Sequence, residues 1–262
     1  MKAVITGASS GIGAAFARAL AARGHDLLLT GRRINALETE AQKIRERCSV
    51  RVDIWPVELA ERAEVQAFAQ YLQSQPVDTL INNAGYGIQC RFDGLAYEKW
   101  ETMMQVHALA PMQLCRSVIP QMKDRRCGRI INVSSMAAFF PMPGNAVYSS
   151  SKGFLNQFSE GLSMELSPFD IQVQALCPGF TRSDFHQRMA QTHRPFTMQR
   201  FMRWQSAEHV VTASLRSLER GSLYCIPGFS NWMLITMGRL VPRSWWRRLA
   251  PLYAEEMLKD SP

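Results

Sequence analysis

The sequence lacks a long apolar run, a metal-type cysteine spacing and a low-complexity segment. No stretch approaches the roughly 20 apolar residues that a membrane span requires. The six cysteines form no CxxC pair and no Cys/His cluster, which indicates free thiols in a reducing compartment and no metal site. Only Met1 and Lys2 precede the first strand-like residues, so we expect no signal peptide and a cytoplasmic location.

No proline- or serine-rich linker and no repeat divides the chain. Of its 262 residues, 47% are hydrophobic and 20% are charged, which predicts one soluble α/β domain with a sizeable core. The net charge of +8 is dispersed over predicted helices and comes with no nucleic-acid motif. Attraction to phosphate-bearing ligands and acidic partners accounts for this charge, so we expect no nucleic-acid partner.

The amino terminus combines a short strand, a glycine-rich turn and a helix. The apolar run from Lys2 to Thr6 is followed at once by Gly7, Gly11 and Gly13. A helix is predicted over residues 14–23, because its apolar residues fall on one face and a glycine follows it. Glycines let backbone amides approach a pyrophosphate, and a helix amino terminus favours its charge. The turn therefore predicts a dinucleotide site.

Tyr148 and Lys152 form a YxxxK pair, with Ser135 thirteen residues upstream of the tyrosine. Residues four apart share a helix face, and an ammonium beside a phenol is expected to lower the phenol's pKa. The phenol would then be a better general acid or base at neutral pH. The Ser135 hydroxyl follows an apolar, strand-like run and could bind a substrate oxygen. Taken alone, the pair is equally compatible with a chance spacing on a helix surface.

Strand-like and helix-like segments alternate along the rest of the chain. This alternation predicts a doubly wound parallel sheet of the Rossmann type, covered by helices on both faces, with ligands beyond the carboxyl ends of the strands. After the first strand and helix and a second strand over residues 25–30, strands are predicted near 50–55, 77–82, 128–134, 171–177 and 222–226. Helices are predicted near 35–47, 61–74, 97–122, 147–166 and 206–219.

In this order, the motifs resemble those of the short-chain dehydrogenase/reductase family over residues 2–228. The turn at 6–13 resembles the family's TGxxxGIG motif, residues 82–85 its NNAG segment, and residues 178–181 its PGxxT stretch. Ser135, Tyr148 and Lys152 match its catalytic serine, tyrosine and lysine. The resemblance implies that the tyrosine exchanges a proton with the substrate oxygen and the serine orients that oxygen. The lysine would lower the tyrosine pKa and hold the nicotinamide ribose.

The resemblance also implies a set of cofactor contacts. Besides Tyr148 and Lys152, these are Gly7, Ser9, Ser10, Gly11, Ile12, Gly13, Arg32, Arg33, Glu58, Leu59, Asn83, Ala84, Gly85, Pro178, Gly179 and Thr181.

Two positions depart from the family pattern. His107 stands where the family usually has a relay asparagine. Either it substitutes in the relay and makes activity more pH-dependent, because histidine titrates near neutrality, or it is a satisfied core histidine. Glu58 stands where the family usually has an aspartate near the adenine amino group, and its longer side chain is expected to preserve binding.

The second strand favours NADP(H) over NAD(H). An acidic residue at its end would bind the ribose 2′-hydroxyl of NAD, but that place holds Gly31. Arg32 follows and could pair with a 2′-phosphate through its planar fork; alternatively, Arg32 and Arg33 only solvate a loop. NADPH use in turn suggests carbonyl reduction as the physiological direction.

Two segments lie outside these motifs. A lid is predicted at about 180–205, where mobile apolar side chains and arginines could cover a lipophilic or anionic carbonyl compound or form an ordinary solvated loop. Beyond the domain at 1–228, residues 229–262 form a carboxyl-terminal extension rich in arginine and tryptophan. It could pack on the domain, on a partner subunit or peripherally on an anionic membrane.

The sequence thus predicts an NADPH-dependent reductase that interconverts a ketone or aldehyde and an alcohol. Tyr148 is the expected general acid, and His107 an uncertain relay member. Family resemblance implies a homodimer or homotetramer with contacts through the helices near 97–122 and 147–166. The alternatives are an alcohol-oxidising dehydrogenase and a weakly catalytic cofactor-binding protein.

Overall fold

The computed structural model describes residues 1–182, 204–242 and 244–248. Within them, seven parallel strands form one sheet in the order β3-β2-β1-β4-β5-β6-β9, and β7 and β8 form a separate small pair. The strands are β1 Lys2–Thr6, β2 Asp26–Gly31, β3 Val52–Pro56, β4 Thr79–Asn82, β5 Gly128–Val133, β6 Ile171–Leu176, β7 Thr181–Arg182, β8 Gln205–Ser206 and β9 Tyr224–Cys225. This topology confirms the predicted Rossmann-type fold.

Helices connect the strands and cover the sheet. They are α1 Gly11–Ala21, α2 Ile34–Arg45, α3 Arg62–Gln73, α4 Tyr97–Met104, α5 Ala110–Arg125, α6 Ala146–Leu166, α7 Ala207–Glu219 and α8 Phe229–Leu240. The predicted helix over 97–122 is interrupted, because a π-helical turn, Gln105–Leu109, separates α4 from α5.

The core lies on both faces of the sheet, because successive side chains of a strand point to opposite sides. In β1, Ala3 and Ile5 belong to one buried cluster and Val4 belongs to another. The first cluster includes residues of α1, α2 and α7, and the second includes residues of α3 and α5. A sheet buried on both faces explains the nearly continuous apolar runs of its strands.

The sheet order reverses between β1 and β4, where a doubly wound fold binds ligands beyond the strand carboxyl ends. The glycine turn follows β1, residues 83–85 follow β4, Ser135 follows β5 and Pro178 follows β6. The fold therefore brings four motifs, distant in sequence, to one edge of the sheet.

Candidate active site

The glycine turn between β1 and α1 has a backbone that requires glycine. Gly7 and Gly11 adopt φ values of +65° and +56°, a left-handed region that other residues rarely enter. A Cβ on Gly13 would collide with the Gly7 carbonyl oxygen and the side chain of Asn83. The turn is thus closely packed, and its open side presents the amino terminus of α1.

Thr6 and Asn83 hold the turn against β4. The Thr6 hydroxyl oxygen accepts hydrogen bonds from the backbone N–H groups of Asn83 (2.9 Å) and Ala84 (3.0 Å). The Asn83 amide donates to the carbonyls of Thr6 (2.9 Å) and Gly7 (3.2 Å). These bonds give Asn83 a structural task in the site, and they add Thr6, which the sequence analysis did not single out.

Two neighbouring arginines have different surroundings. Arg33 Nη2 donates to the hydroxyls of Ser9 and Ser10, both at 3.0 Å, so a guanidinium and two hydroxyls converge beside the glycine turn. Arg32 instead pairs with Glu58 at 3.3 Å. The predicted phosphate contact therefore fits Arg33 better than Arg32, because Arg33 lies with other phosphate-binding groups.

The remaining predicted adenine-side residues lie around the same edge. Glu58 accepts a hydrogen bond from the Ala60 N–H (3.0 Å) in addition to its pairing with Arg32. Leu59 is buried in the core, so its backbone rather than its side chain is available to a ligand. Ile12 is partly buried against the other core cluster.

The predicted catalytic residues come together beside β5. The Ser135 hydroxyl accepts from the Ala137 N–H at 3.1 Å and forms a hydrogen bond with Tyr148. Lys152 is one turn beyond Tyr148 on α6, with Nζ 5.9 Å from the centroid of the phenol ring. Its ammonium donates to the Val133 carbonyl at 2.9 Å. The structure thus brings the expected serine, tyrosine and lysine together, with Tyr148 and Lys152 buried and Ser135 partly buried.

Burial controls the protonation of this cluster. It raises the pKa of Tyr148 to about 12, against which the hydrogen bond with Ser135 acts. It also lowers the pKa of Lys152 to about 8. The expectation that Lys152 lowers the tyrosine pKa below its ordinary value does not describe this structure, because removing the phenol from water disfavours the phenolate more strongly.

Gly85 and the Pro178–Thr181 segment close the site from two sides. A Cβ on Gly85 would lie 3.2 Å from His107 Nε2 and 3.5 Å from Lys152 Nζ, so the glycine lets the chain pass against both. The Pro178 carbonyl accepts the Met136 N–H at 3.1 Å, next to Ser135. The Thr181 hydroxyl donates to the Gly179 carbonyl at 3.1 Å.

His107 lies in the π turn and is fully buried. Its Nε2 accepts the Tyr86 N–H at 3.0 Å, which assigns the proton to Nδ1. Nδ1 can then donate to the Ser151 hydroxyl at 3.0 Å, and that hydroxyl donates to the Tyr148 carbonyl at 2.7 Å. Burial, with a smaller effect of Lys152, holds the pKa of His107 well below its usual range. This geometry favours the satisfied core histidine over the relay member.

Two polar residues that the sequence analysis did not select position the catalytic helix. Ser151 links the π turn to the backbone of Tyr148, and the Ser134 hydroxyl donates to the Lys152 carbonyl at 2.8 Å. Single serines give no sequence signal for such bonds, since their partners are set by tertiary packing.

The substrate side is only partly described. Most of the predicted lid, residues 183–203, lies outside the described residues. A separate cleft of about 740 Å³ is lined by residues that include Tyr97, Trp100, Gln105 and Val147, and by none of the predicted catalytic or cofactor residues. The cleft is therefore separate from the predicted site at the sheet edge.

The tail described here packs over the same edge. The Trp246 ring lies 5.6 Å from that of Phe140, and its indole N–H donates to the Pro141 carbonyl at 2.9 Å. A Cβ on Gly238 would collide with Phe140. Residues 229–242 and 244–248 therefore include side chains that pack against the segment following Ser135.

Comparisons with known proteins agree with this site. The sequence profile of the family described as short chain dehydrogenase matches residues 1–194. Nodulation protein G of Rhizobium meliloti is 39% identical over 184 residues, which are 70% of this chain and 74% of that protein. The NADP-dependent 3-hydroxy acid dehydrogenase YdfG of Salmonella typhi is 31% identical over 182 residues, 68% of this chain and 72% of that protein.

A solved structure is similar over most of the chain. The short-chain dehydrogenase from Sphingobium yanoikuyae in complex with NADPH is 31% identical, with a TM-score of 0.82, and the match covers 91% of this chain and 93% of that one. This likeness extends beyond the 194 residues of the family profile.

Proposed function

The chain belongs to the short-chain dehydrogenase family, and from this premise we propose that it is an NADPH-dependent reductase that converts a ketone or aldehyde to an alcohol. The observation that carries the proposal is the cluster of partly buried Ser135 with buried Tyr148 and Lys152 at the carboxyl edge of the sheet. Its parts are a proton donor, a hydroxyl partner and an ammonium group, which carbonyl reduction requires.

Tyr148 acts as the general acid. With a pKa of about 12, its hydroxyl keeps its proton throughout the neutral range and can deliver it to the oxygen of a carbonyl substrate. The Ser135 hydroxyl, which already bonds to Tyr148, orients the same oxygen. A protonated phenol is the form in which carbonyl reduction begins, whereas alcohol oxidation begins from the phenolate.

Lys152 supplies the positive charge beside the phenol. Its pKa of about 8 leaves it mainly protonated at pH 7, so the ammonium can stabilise the negative charge that Tyr148 gains as it releases its proton. By family resemblance, we also propose that Lys152 binds the nicotinamide ribose. His107 is assigned a positioning role, since both ring nitrogens are engaged.

The residues of the glycine turn fit NADP(H). The turn at Gly7–Gly13 and the amino terminus of α1 would hold the pyrophosphate, and Arg33 with Ser9 and Ser10 would hold the 2′-phosphate. Residues 83–85 and 178–181 would border the rest of the molecule. The bound nicotinamide supplies the hydride. NADPH in the Sphingobium yanoikuyae structure and NADP dependence in the name of the Salmonella typhi relative support this choice.

We further propose that the protein works as a homodimer or homotetramer in the cytoplasm. The six free cysteines suit a reducing compartment. Leu109 of the π turn and Met112 of α5 are apolar side chains that are 39% and 41% exposed. Such exposure is expected for helices that meet a second subunit. No helix among the described residues is long and apolar enough to cross a membrane.

The test is NADPH consumption by the purified protein against a broad panel of ketones and aldehydes. Tyr148→Phe removes the proton donor and should lower kcat/KM by about 100-fold or more, while NADPH still binds. Tyr97→Phe is the matched control, since Tyr97 is 67% exposed, and it should keep full activity.

Equal turnover by the wild type and Tyr148→Phe would contradict the assigned general acid. Faster NADP⁺ reduction with alcohols than NADPH oxidation with carbonyls would favour the alcohol-oxidising alternative. Tight NADPH binding with no turnover on any carbonyl would favour a cofactor-binding protein.

A further inference from the structure

Helix α8 has its apolar side turned away from the protein. Only Ile235 of its twelve residues is buried, and Gly238 packs on Phe140. On the opposite side lie Phe229, Met233, Met237 and Leu240, spaced by four, four and three residues and therefore on one helix face. Their exposed fractions are 76%, 43%, 59% and 80%. In an ordinary surface helix the arrangement is reversed.

Basic and aromatic residues continue this surface. Trp246 is fixed to the body through Phe140 and Pro141, whereas Trp245 beside it is 62% exposed. Arg247 and Arg248 follow and are exposed. Arg239 lies over the Phe139 ring at 5.1 Å and is also exposed. No acidic residue occurs between Glu219 and Glu255, so nothing acidic in this segment neutralises the arginines.

We propose that α8 and residues 244–248 form a docking surface for an anionic lipid bilayer. An apolar face at the depth of the acyl chains, with arginines and tryptophan at the level of the headgroups, is the pattern of an interfacial helix. The exposed arginines give the charge complementarity that an anionic leaflet requires.

The size of the surface distinguishes a bilayer from a second copy of the chain. A twelve-residue helix is about 18 Å long, and one face of it about 10 Å wide has a projected area of roughly 180 Å², to which residues 244–248 add. A stable protein interface buries about 800 Å² on each partner. A bilayer sets no such minimum, because insertion of a few apolar side chains and electrostatic attraction add together.

Docking here has a consequence for orientation. Helix α8 lies beside the site, since a Cβ on Gly179 would meet the Asn231 side chain at 2.7 Å and Met136 Sδ at 3.0 Å. A bilayer in contact with the outer face of α8 would therefore lie close to the Ser135 segment.

The experiment is sedimentation of the full-length protein with vesicles of equimolar phosphatidylglycerol and phosphatidylcholine, with pure phosphatidylcholine vesicles alongside. We expect binding to the anionic vesicles that weakens as salt is added. The double variant Met233→Gln/Met237→Gln should bind at least about tenfold more weakly. Arg247→Gln/Arg248→Gln should weaken binding about fivefold for each charge removed.

Met164→Gln is the matched control, because Met164 is 67% exposed on α6, and it should bind like the wild type. Thermal unfolding of each variant checks that the fold is intact. Failure of the wild type to sediment with anionic vesicles at low salt would overturn the proposal. So would unchanged binding of Met233→Gln/Met237→Gln, or a loss of self-association in that variant with no effect on vesicle binding.

Discussion

At the scale of single residues, Arg33 is a better candidate than Arg32 for binding the 2′-phosphate of the cofactor. Arg32 and Arg33 are adjacent, but only Arg33 shares its position with Ser9 and Ser10, while Arg32 is neutralised by Glu58. Sequence alone pointed to Arg32, because it comes first after Gly31. The choice between them depends on the direction of each side chain, which the order of residues does not reveal.

We expect Arg33→Ala to weaken NADPH binding selectively. A charge-assisted hydrogen bond contributes about 1.5–3 kcal/mol, so the Kd for NADPH should rise about 10- to 150-fold. The Kd for NADH should change little, because NADH lacks the 2′-phosphate. Fluorescence titration with both cofactors measures the two affinities.

Arg32→Ala is the internal control and should alter the NADPH affinity much less. A larger loss of NADPH affinity in Arg32→Ala than in Arg33→Ala would mean that Arg32 binds the 2′-phosphate. An equal loss for NADH and NADPH in Arg33→Ala would show that Arg33 supports the turn and not the 2′-phosphate.

At the scale of secondary-structure elements, the π turn between α4 and α5 sets the position of the catalytic helix. A π turn inserts an extra residue into a helix and is frequent at functional sites. Here it places His107 between the Tyr86 backbone and Ser151, and the Ser151 hydroxyl in turn donates to the Tyr148 carbonyl. The turn thereby connects the segment after β4 with α6.

The buried His107 should make folding stability depend on acidity. Its folded-state pKa lies well below the ordinary value of 6.5, so the unfolded chain binds a proton that the folded protein does not. The contribution of His107 to stability is then fully present above pH 6.5. As the pH drops toward the folded-state pKa, the free energy of unfolding falls by up to about 1.4 kcal/mol per pH unit. Urea unfolding from about pH 7 to about pH 5 should show a shallower loss for His107→Asn than for the wild type.

His209→Asn is the matched control, because His209 is exposed on α7, and its pH dependence should equal that of the wild type. His25, whose pKa is also lowered by burial, is unchanged in both variants and cancels in the comparison. A His107→Asn curve parallel to the wild type at every pH would mean that the pKa of His107 is the same in the folded and the unfolded protein, which would revive its relay role.

The sequence predicted the elements and the motif order well, and the polar contacts between them poorly. Apolar runs and glycine turns are local signals, so the strands followed from them, whereas Ser135, Tyr148 and Lys152 were identified by the YxxxK spacing and the family resemblance. The π turn was not predicted, because α-helical and π-helical segments contain the same kinds of apolar residue and the sequence pattern does not separate them. Thr6 escaped because its partners, Asn83 and Ala84, are more than 75 residues away. The pKa of Tyr148 was expected to be lowered but is raised, because the sequence does not reveal how deeply the phenol is buried.

On the scale of the whole molecule, two exposed apolar surfaces have different settings. The face of α8 lies among arginines, whereas Leu109 and Met112 belong to the π turn and α5. On α6, Phe154 and Phe158 stack at 5.6 Å between ring centroids. Long helices with apolar side chains offer the area that a subunit interface needs. We therefore expect the subunits to meet through α5 and α6 and not through α8.

Met112→Glu should dissociate the assembly. Met112 is 41% exposed and would be covered in the oligomer, so a carboxylate at that position would be buried without a partner. Its subunit dissociation constant should rise by at least about tenfold, which sedimentation velocity over a range of protein concentrations measures. Met237→Glu, on the face of α8, should sediment like the wild type. A monomeric wild type would contradict this assignment. So would dissociation by Met237→Glu and not by Met112→Glu, which would place the subunit contact on the surface that we assign to the bilayer.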